Sequence, residues 1–308
     1  QTRVAQGMPY YLSFVETFPT VYDLAEAPEE LVLKLWQGLG YYSRARNLHT
    51  TAKMVVTEFD GQFPHTYEKL KTLKGVGDYT ASAIASFCFD VPEPVVDGNV
   101  YRVLSRYFGV DIPINSTEGI TYFKELAREV MDAENIRDYN QGIMEFGAIQ
   151  CAPKKPYCLL CPLQESCVAL KENKVDILPI KLNKTKVRNR YFNYLVWWDG
   201  NGNTVLEQRK GKGIWQNLYQ FPLLETDGPL EDGEIEEKMK VNHTPLEIET
   251  LSLYNNEPII HKLSHQHLHT HFWILKTSHI LEEGISWKKI HDFPVPVLIA
   301  DFIKTFKI

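Results

Sequence analysis

Three runs of this sequence carry side chains whose types and spacing could do chemistry. The first holds a carboxylate. Leu73, Lys74, Gly75, Val76, Gly77, Asp78, Tyr79 and Thr80 lead into a helical pattern in which Ala81, Ile84, Ala85 and Cys88 share one face. A short turn later comes Val95-Val96-Asp97-Gly98-Asn99-Val100. Gly75 and Gly77 bracket Val76, which allows a tight, positive-φ turn between two helices, and the bare amides opening the second helix suit a phosphate. Asp97 follows an apolar run and sits in a Gly/Asn turn, where a carboxylate can face a substrate. Taken alone, Gly-Val-Gly reads as a helical hairpin and Asp97 as a surface residue. At this spacing the pair reads instead as a phosphate grip beside a reactive acid.

The second run is inorganic in character. Cys151, Cys158, Cys161 and Cys167 form Cys-x6-Cys-x2-Cys-x5-Cys, leaving Cys88 alone in a helix. Thiolates this close suit one tetrahedral metal ion or an iron–sulfur cluster, and spacing does not say which. Disulfide pairing is the weaker reading in a chain that opens on no secretory signal. Lys154 and Lys155 lie inside the first loop of the motif. The third run places His265, His267, His269 and His271 at alternate positions, so that an extended strand would present them on one face. Such a face could bind a metal, but solvated or stacked histidines are the commoner use of this pattern.

Positioning these groups takes more than one domain. A chain of 308 residues is expected to hold two, each burying its own core. Amphipathic helices are expected over Tyr10 to Phe18, Pro28 to Trp36, from Ser43 onward, Ile120 to Ala133 and Tyr139 to Gln150. Gly38-Leu39-Gly40-Tyr41-Tyr42 interrupts them as a glycine-flanked aromatic turn. Leu178 to Arg190 is basic, contains Pro179 and lacks an apolar period, which marks a linker. Tyr191, Tyr194, Val196 and Trp197 then announce a β-rich second part. The net charge of −6 argues against a uniformly basic nucleic-acid binder. Much of it, however, is local to Glu225, Asp227, Glu231, Asp232, Glu234, Glu236 and Glu237. With no stretch long and apolar enough to span a membrane, a cytoplasmic, intracellular location is expected.

At Leu73 to Arg102 the sequence resembles the helix-hairpin-helix DNA glycosylases, specifically the MutY-type adenine DNA glycosylases. Bifunctional relatives such as endonuclease III carry a Schiff-base lysine where this chain has Tyr79, and continue Val-Asp-Thr-His where it has Val96-Asp97-Gly98-Asn99. A tyrosine cannot form an imine. The resemblance implies a multidomain α and α+β fold. An all-α glycosylase domain over 1–177, with the hairpin near 67–90 and an iron–sulfur loop over 151–167, is joined by a linker (178–190) to a Nudix-like α+β domain (191–308).

The resemblance also implies roles. Asp97 would stabilise an oxocarbenium ion, with Tyr79 and Asn99 orienting it. Lys74, Gly75, Val76 and Gly77 would hold DNA phosphate, as would Lys154 and Lys155. Leu39 and Tyr41 would insert beside the unpaired purine, Gln1 and Thr2 would work on the strand opposite the target base, and Gln141 would line the adenine pocket. The four cysteines would carry a [4Fe–4S] cluster. In the second domain, Val205 to Arg209, Gly213-Ile214-Trp215 and Gln220-Phe221-Pro222 resemble the opening strands of a Nudix-like domain, but the acidic stretch after Glu231 lacks the Arg-Glu-x-x-Glu-Glu core that holds magnesium. Leu263-Ser264-His265 matches the family's Phe-Ser-His loop, so Ser264 and His265 would sense 8-oxoguanine. The family's catalytic glutamate falls five residues before the position of Gln1, and is therefore expected upstream of these 308 residues. The implied substrate is duplex DNA with adenine opposite 8-oxoguanine or guanine, and the implied enzyme is a monomer without lyase activity. Three rival readings are a lesion-binding protein without turnover, a bifunctional glycosylase/lyase, which Tyr79 disfavours, and a Nudix hydrolase, which the missing box disfavours.

Overall fold

The computed structural model describes residues 2–182, 186–230, 233–242 and 248–306. Gln1, Glu231 and Asp232 lie outside the described residues. Helices come first: α1 (Val4–Thr17), α2 (Val21–Glu26), α3 (Glu29–Leu35), α4 (Ser43–Phe59), α5 (Tyr67–Thr72), α6 (Asp78–Phe89), α7 (Gly98–Phe108), α8 (Thr117–Val130), α9 (Ile136–Ile149) and the short α10 (Val168–Lys171). Strands follow: β1 (Arg188–Asp199), β2 (Asn203–Thr204), β3 (Glu207–Gln208), β4 (Tyr219–Gln220), β5 (Leu223–Thr226), then α11 (Glu234–Asn242), β6 (Thr250–Leu253), β7 (Ile259–Lys262), β8 (Gln266–Thr277), β9 (Ile285–Ser286) and α12 (Val297–Thr305). This is the α then α+β order expected from the sequence. None of the described helices is long and apolar enough to cross a membrane.

Contacts divide the chain into residues 54–184 and residues 1–53 together with 185–308, the break falling inside α4. These limits differ from boundaries at 177 and 191, because Phe18, Val32, Leu33, Tyr42 and Ala45 share one buried core with Phe192, Phe272 and Phe302. The described end of the expected linker is structured on both sides. Ile180 O accepts from Ile114 N at 3.0 Å, Leu182 N donates to Asn115 Oδ1 at 2.8 Å, and Arg188 already belongs to β1.

Within 54–184, helix ends follow local chemistry. Thr66 caps α5 by accepting from Lys69 N, Ser116 caps α8 by accepting from Gly119 N, and Asp97 caps α7 by accepting from Asn99 N and Val100 N. The apolar side of α7, with Val100 and Leu104, packs with Val96, Ile114, Phe123 and Ala127. Where α9 crosses α7, a Cβ on Gly147 would lie 2.8 Å from Asn99 Cβ and Asn99 O, so only glycine permits that approach.

In the other unit, β1 and β8 run parallel from Arg188↔Gln266 to Asp199↔Thr277, in a sheet ordered β5-β1-β8-β6 with β7 also paired to β8. Alternation puts Phe192, Tyr194 and Val196 with Leu268, Phe272 and Ile274 against Leu298, Ile299 and Phe302 of α12. The opposite face, Leu195, Trp197 and Leu275, lies with Ile235 and Met239 of α11. That face also receives the alternating histidines. His269 stacks on Tyr191 at 5.0 Å, and His271 Nδ1 lies 3.0 Å from Asn255 O, so it donates there. Within the run, His269 is thus used for stacking and His271 for hydrogen bonding.

Candidate active site and nucleic-acid contacts

The hairpin turn between α5 and α6 uses its two glycines differently. Gly75 has φ +78°, the left-handed conformation the turn requires. Gly77 does not: at φ −85° and ψ −177° it is extended, and it precedes α6 with no side-chain cap. A Cβ added at Gly77 would meet nothing within 4 Å. Neither strain nor packing within the protein demands glycine there, so the positive-φ turn the two glycines allow is made at Gly75 alone of the pair. What a bare residue leaves open is close approach by something outside the chain to the amides that begin α6. Lys74 is exposed and Val76 half-buried beside them.

Asp97 carries the carboxylate of the second motif, and every hydrogen bond it makes is local. Its Oδ1 accepts from Asn99 N and Val100 N, both at 2.8 Å, and its Oδ2 accepts from Asn99 Nδ2 at 2.9 Å. The Asn99 carboxamide is held in turn by Arg102, whose Nη2 donates to Asn99 Oδ1 at 2.9 Å and to Gly147 O at 2.5 Å. Arg102 Nε donates to Cys151 O at 2.7 Å. A buried guanidinium therefore links the first residue of the cysteine motif to the group that orients Asp97. Tyr79, in the first turn of α6, is half-buried; burial, and then the nearby negative charge of Asp97, push its hydroxyl above the ordinary value, so it stays protonated. On the other side of the apolar run, Asn140 is buried, accepts from Val95 N at 3.1 Å and donates to Glu93 O at 3.0 Å. Gln141 is exposed on α9.

The four cysteines line one cavity with Arg106, Gln150 and Gln164. Arg106 Nη1 donates to Cys151 Sγ at 3.4 Å and to Ala152 O at 2.8 Å. Burial pushes the Cys158 thiol up, and the three neighbouring thiols add to the shift. Four sulfurs around one cavity, with a cation aimed at one of them, suit a thiolate-bound metal ion or an iron–sulfur cluster. Lys154 and Lys155 are exposed on the first loop of the motif, Lys155 with φ +48°.

In the unit of 1–53 and 185–308, a second set of expected residues comes together. The turn after α3 has Gly38 at φ +97°, Gly40 at φ +77° and Tyr41 at φ +46°. Trp36 Nε1 donates to Gly40 O at 3.0 Å, and the Tyr42 hydroxyl accepts from Gly38 N at 3.3 Å, which fixes the turn. Tyr41 is 69% exposed, and its hydroxyl lies 2.9 Å from Ser264 Oγ. Arg44 lies over the rings of Trp36 and Tyr41 and donates to Thr2 Oγ1 at 3.2 Å. Thr2, Tyr41 and Ser264 thus form one connected surface. Leu39 is half-buried beside it, and His265 is exposed in the turn before β8. Sequence reasoning did not find Arg102, Asn140 or Arg106; the only available signal for Asn140 was its place next to Gln141.

Comparison with known proteins agrees with both halves. Residues 1–128 match the family model described as HhH-GPD superfamily base excision DNA repair protein, and residues 193–305 match a NUDIX domain. An adenine DNA glycosylase of Buchnera aphidicola subsp. Baizongia pistaciae is 32% identical over 278 residues, which cover 89% of this chain and 76% of the relative. Its counterpart from Buchnera aphidicola subsp. Schizaphis graminum is 32% identical over 315 residues, covering 100% and 88%. A solved thermostable thymine-DNA glycosylase superposes with a TM-score of 0.52 at 29% identity, over 56% of this chain and 79% of its own. The class is therefore that of helix-hairpin-helix base-excision repair proteins carrying a NUDIX domain. Within it, the chain belongs to the adenine DNA glycosylase family.

Proposed function

We propose that this chain hydrolyses the N-glycosidic bond of adenine mispaired with 8-oxoguanine or guanine in duplex DNA and leaves the abasic site uncut. The observation that carries the reading is the Asp97 carboxylate, held by an Asn99 that Arg102 fixes in turn, beside a protonated Tyr79. The reacting adenine leaves the base stack at a cost lowest where pairing is already wrong. Its departure builds positive charge on the sugar, which a preoriented carboxylate stabilises. Protonation of the base is assigned to the family's glutamate, expected upstream of Gln1. Tyr79 offers a hydroxyl where the lyase relatives have an amine, so no imine forms at that position.

The hairpin and Lys154 and Lys155 hold backbone phosphate without reading bases. Gln141 lines the adenine pocket. Cys151, Cys158, Cys161 and Cys167 would hold a [4Fe–4S] cluster, which supplies a covalent staple for the loop of Lys154 and Lys155. Tyr41, Leu39 and Thr2 work beside the orphaned purine. Ser264 and His265 distinguish 8-oxoguanine, whose N7–H is a donor that guanine lacks. The chemistry thus belongs to the helical residues and the selectivity to the NUDIX-like domain.

The test is single-turnover base release from duplexes pairing adenine with 8-oxoguanine, guanine or thymine, using a chain extended upstream of Gln1 through the Glu-bearing segment. Adenine release from both mispairs, with intact strands and no borohydride-trappable adduct, is expected. Tight mispair binding without release would favour a lesion-binding protein, and a trapped adduct would favour a lyase.

A further inference from the structure

Lys124 is a half-buried cation that this chemistry does not use. It projects from α8 with its side chain 14% exposed. Its Nζ donates to Ser82 Oγ at 2.6 Å, to Pro94 O at 3.0 Å and to Asp78 Oδ2 at 3.3 Å. It also faces Glu93 at 3.7 Å and lies 5.2 Å from the centre of the Tyr67 ring. These partners fall in two groups. Tyr67, Asp78 and Ser82 belong to the hairpin helices α5 and α6, and Glu93 and Pro94 to the run that ends at Asp97.

Asp78 directly follows Gly77, and its side chain is 45% exposed. Burial pushes its carboxyl up, but the Tyr67 hydroxyl, which donates to it, and Lys124 outweigh that and hold it below the usual range. It is therefore a fixed negative charge next to amides that suit a phosphate. Alone, it would repel the backbone those amides should grip. Lys124 opposes that charge from inside the protein and, with the same ammonium group, ties Pro94 O in place.

We propose that Lys124 is a positioning residue that couples the phosphate grip to the catalytic run: it offsets Asp78 at the hairpin and anchors the segment that carries Asp97. This rests on the hairpin and Asp97 readings given above, and its test separates the two. In the chain extended upstream of Gln1, the probes are an undamaged duplex for binding and an adenine:8-oxoguanine duplex, at saturating protein, for single-turnover excision. Lys124→Met is expected to weaken binding of undamaged duplex about tenfold at low salt, with the gap narrowing as salt rises. Adding Asp78→Asn should restore most of that binding, because the uncompensated charge is gone. It should leave the excision rate depressed, because Pro94 O still lacks its donor.

Wild-type binding by Lys124→Met, or no recovery in the double variant, overturns the proposal; a merely structural lysine would not be rescued by removing its second partner. Should Lys124→Met fail to fold, Asp78→Asn alone decides: it must bind undamaged duplex at least as tightly as wild type, and weaker binding refutes the charge argument. Two controls read the underlying assignments separately. Gly77→Ala binding duplex like wild type overturns the grip itself, and a wild-type chain extended upstream of Gln1 through the Glu-bearing segment that binds mispairs without releasing adenine overturns the Asp97 chemistry.

Discussion

Replacing Asp97 by asparagine separates two roles that one side chain fills. The carboxylate caps α7 through Oδ1 and receives Asn99 Nδ2 on Oδ2. An asparagine oxygen still accepts from the two backbone amides, and Asn ranks with Asp as a helix N-cap. Its Nδ2, however, would face Asn99 Nδ2. Asn99 cannot turn its carboxamide over without presenting that same NH₂ to Arg102 Nη2, which now donates to Oδ1 at 2.9 Å. One donor–donor conflict in a half-buried site costs about 1–2 kcal/mol. That corresponds to a fall in thermal midpoint of about 2–8 °C for a domain of this size. The loss in chemistry is larger, since removing one preorganised electrostatic group lowers turnover by about 100–1,000-fold.

A second variant isolates the charge. Asp97→Asn combined with Asn99→Asp restores a donor–acceptor pair, and the carboxylate at position 99 also receives Arg102. The midpoint should return to within about 2 °C of wild type, less than 1 kcal/mol, while excision stays depressed. Differential scanning fluorimetry and single-turnover base release on adenine:8-oxoguanine duplex, in the extended chain, measure both quantities. Excision within tenfold of wild type in Asp97→Asn, or excision that recovers together with stability in the double variant, would refute the argument and make Asp97 a cap and nothing more.

Four further outcomes are expected. Arg102→Gln should lower stability by about 2–4 kcal/mol, since charged hydrogen bonds to Cys151 O and Gly147 O are lost; it should also slow excision more than tenfold in protein that is still folded by circular dichroism, and unimpaired excision would show that Asn99 needs no second support. Ser264→Ala with His265→Ala should narrow the preference for 8-oxoguanine over guanine about tenfold, or about 1.4 kcal/mol. Tyr41→Phe should give part of the same loss through its contact with Ser264, and an unchanged ratio removes this surface from recognition. Anaerobically purified protein should contain iron and acid-labile sulfide in equal amounts, lost in Cys161→Ser, whereas stoichiometric zinc without iron overturns the cluster. Arg190 donates twice to Glu225, at 2.6 Å each, and so holds that carboxyl below its ordinary value of 4.5. A depressed carboxyl stabilises the fold above its unfolded pKa and stops doing so as pH falls through the folded value. Arg190→Gln should therefore cost about 0–1 kcal/mol near neutrality, as expected for a partly exposed pair, with the gap in midpoint closing below pH 4.5; a gap independent of pH would refute the assignment.

What could be read from the sequence was what is local in it. The Asp97 cap reaches residues two and three positions ahead, so a Gly/Asn turn after an apolar run signals it directly. The hairpin was legible for the same reason, because Gly75 and the start of α6 lie within one turn of each other. Even so, a glycine letter does not say why it is there. Gly75 is needed for its φ, Gly77 is not, and Gly147 is needed because Asn99 lies against it from another helix. Only the first of these follows from the turn itself.

The residues that were missed share one physical trait. Arg102 reaches Gly147 O and Cys151 O, 45 and 49 positions on, and Asn140 reaches Val95 N, 45 positions back. Arg106 likewise reaches Ala152 O, 46 positions on. Each is a polar side chain satisfying a distant backbone group, and such contacts leave no periodicity, because an Arg or Asn on a helix looks the same whether its partner is water or a carbonyl. Arg102 shows what this costs the reader of a sequence. It sits five residues after Asp97 in a run already singled out, yet its buried position follows only from where α9 and the cysteine loop come to rest. The cysteines and the carboxylate therefore read as two independent motifs in the sequence, whereas in the folded chain one guanidinium makes the geometry of the second depend on the order of the first.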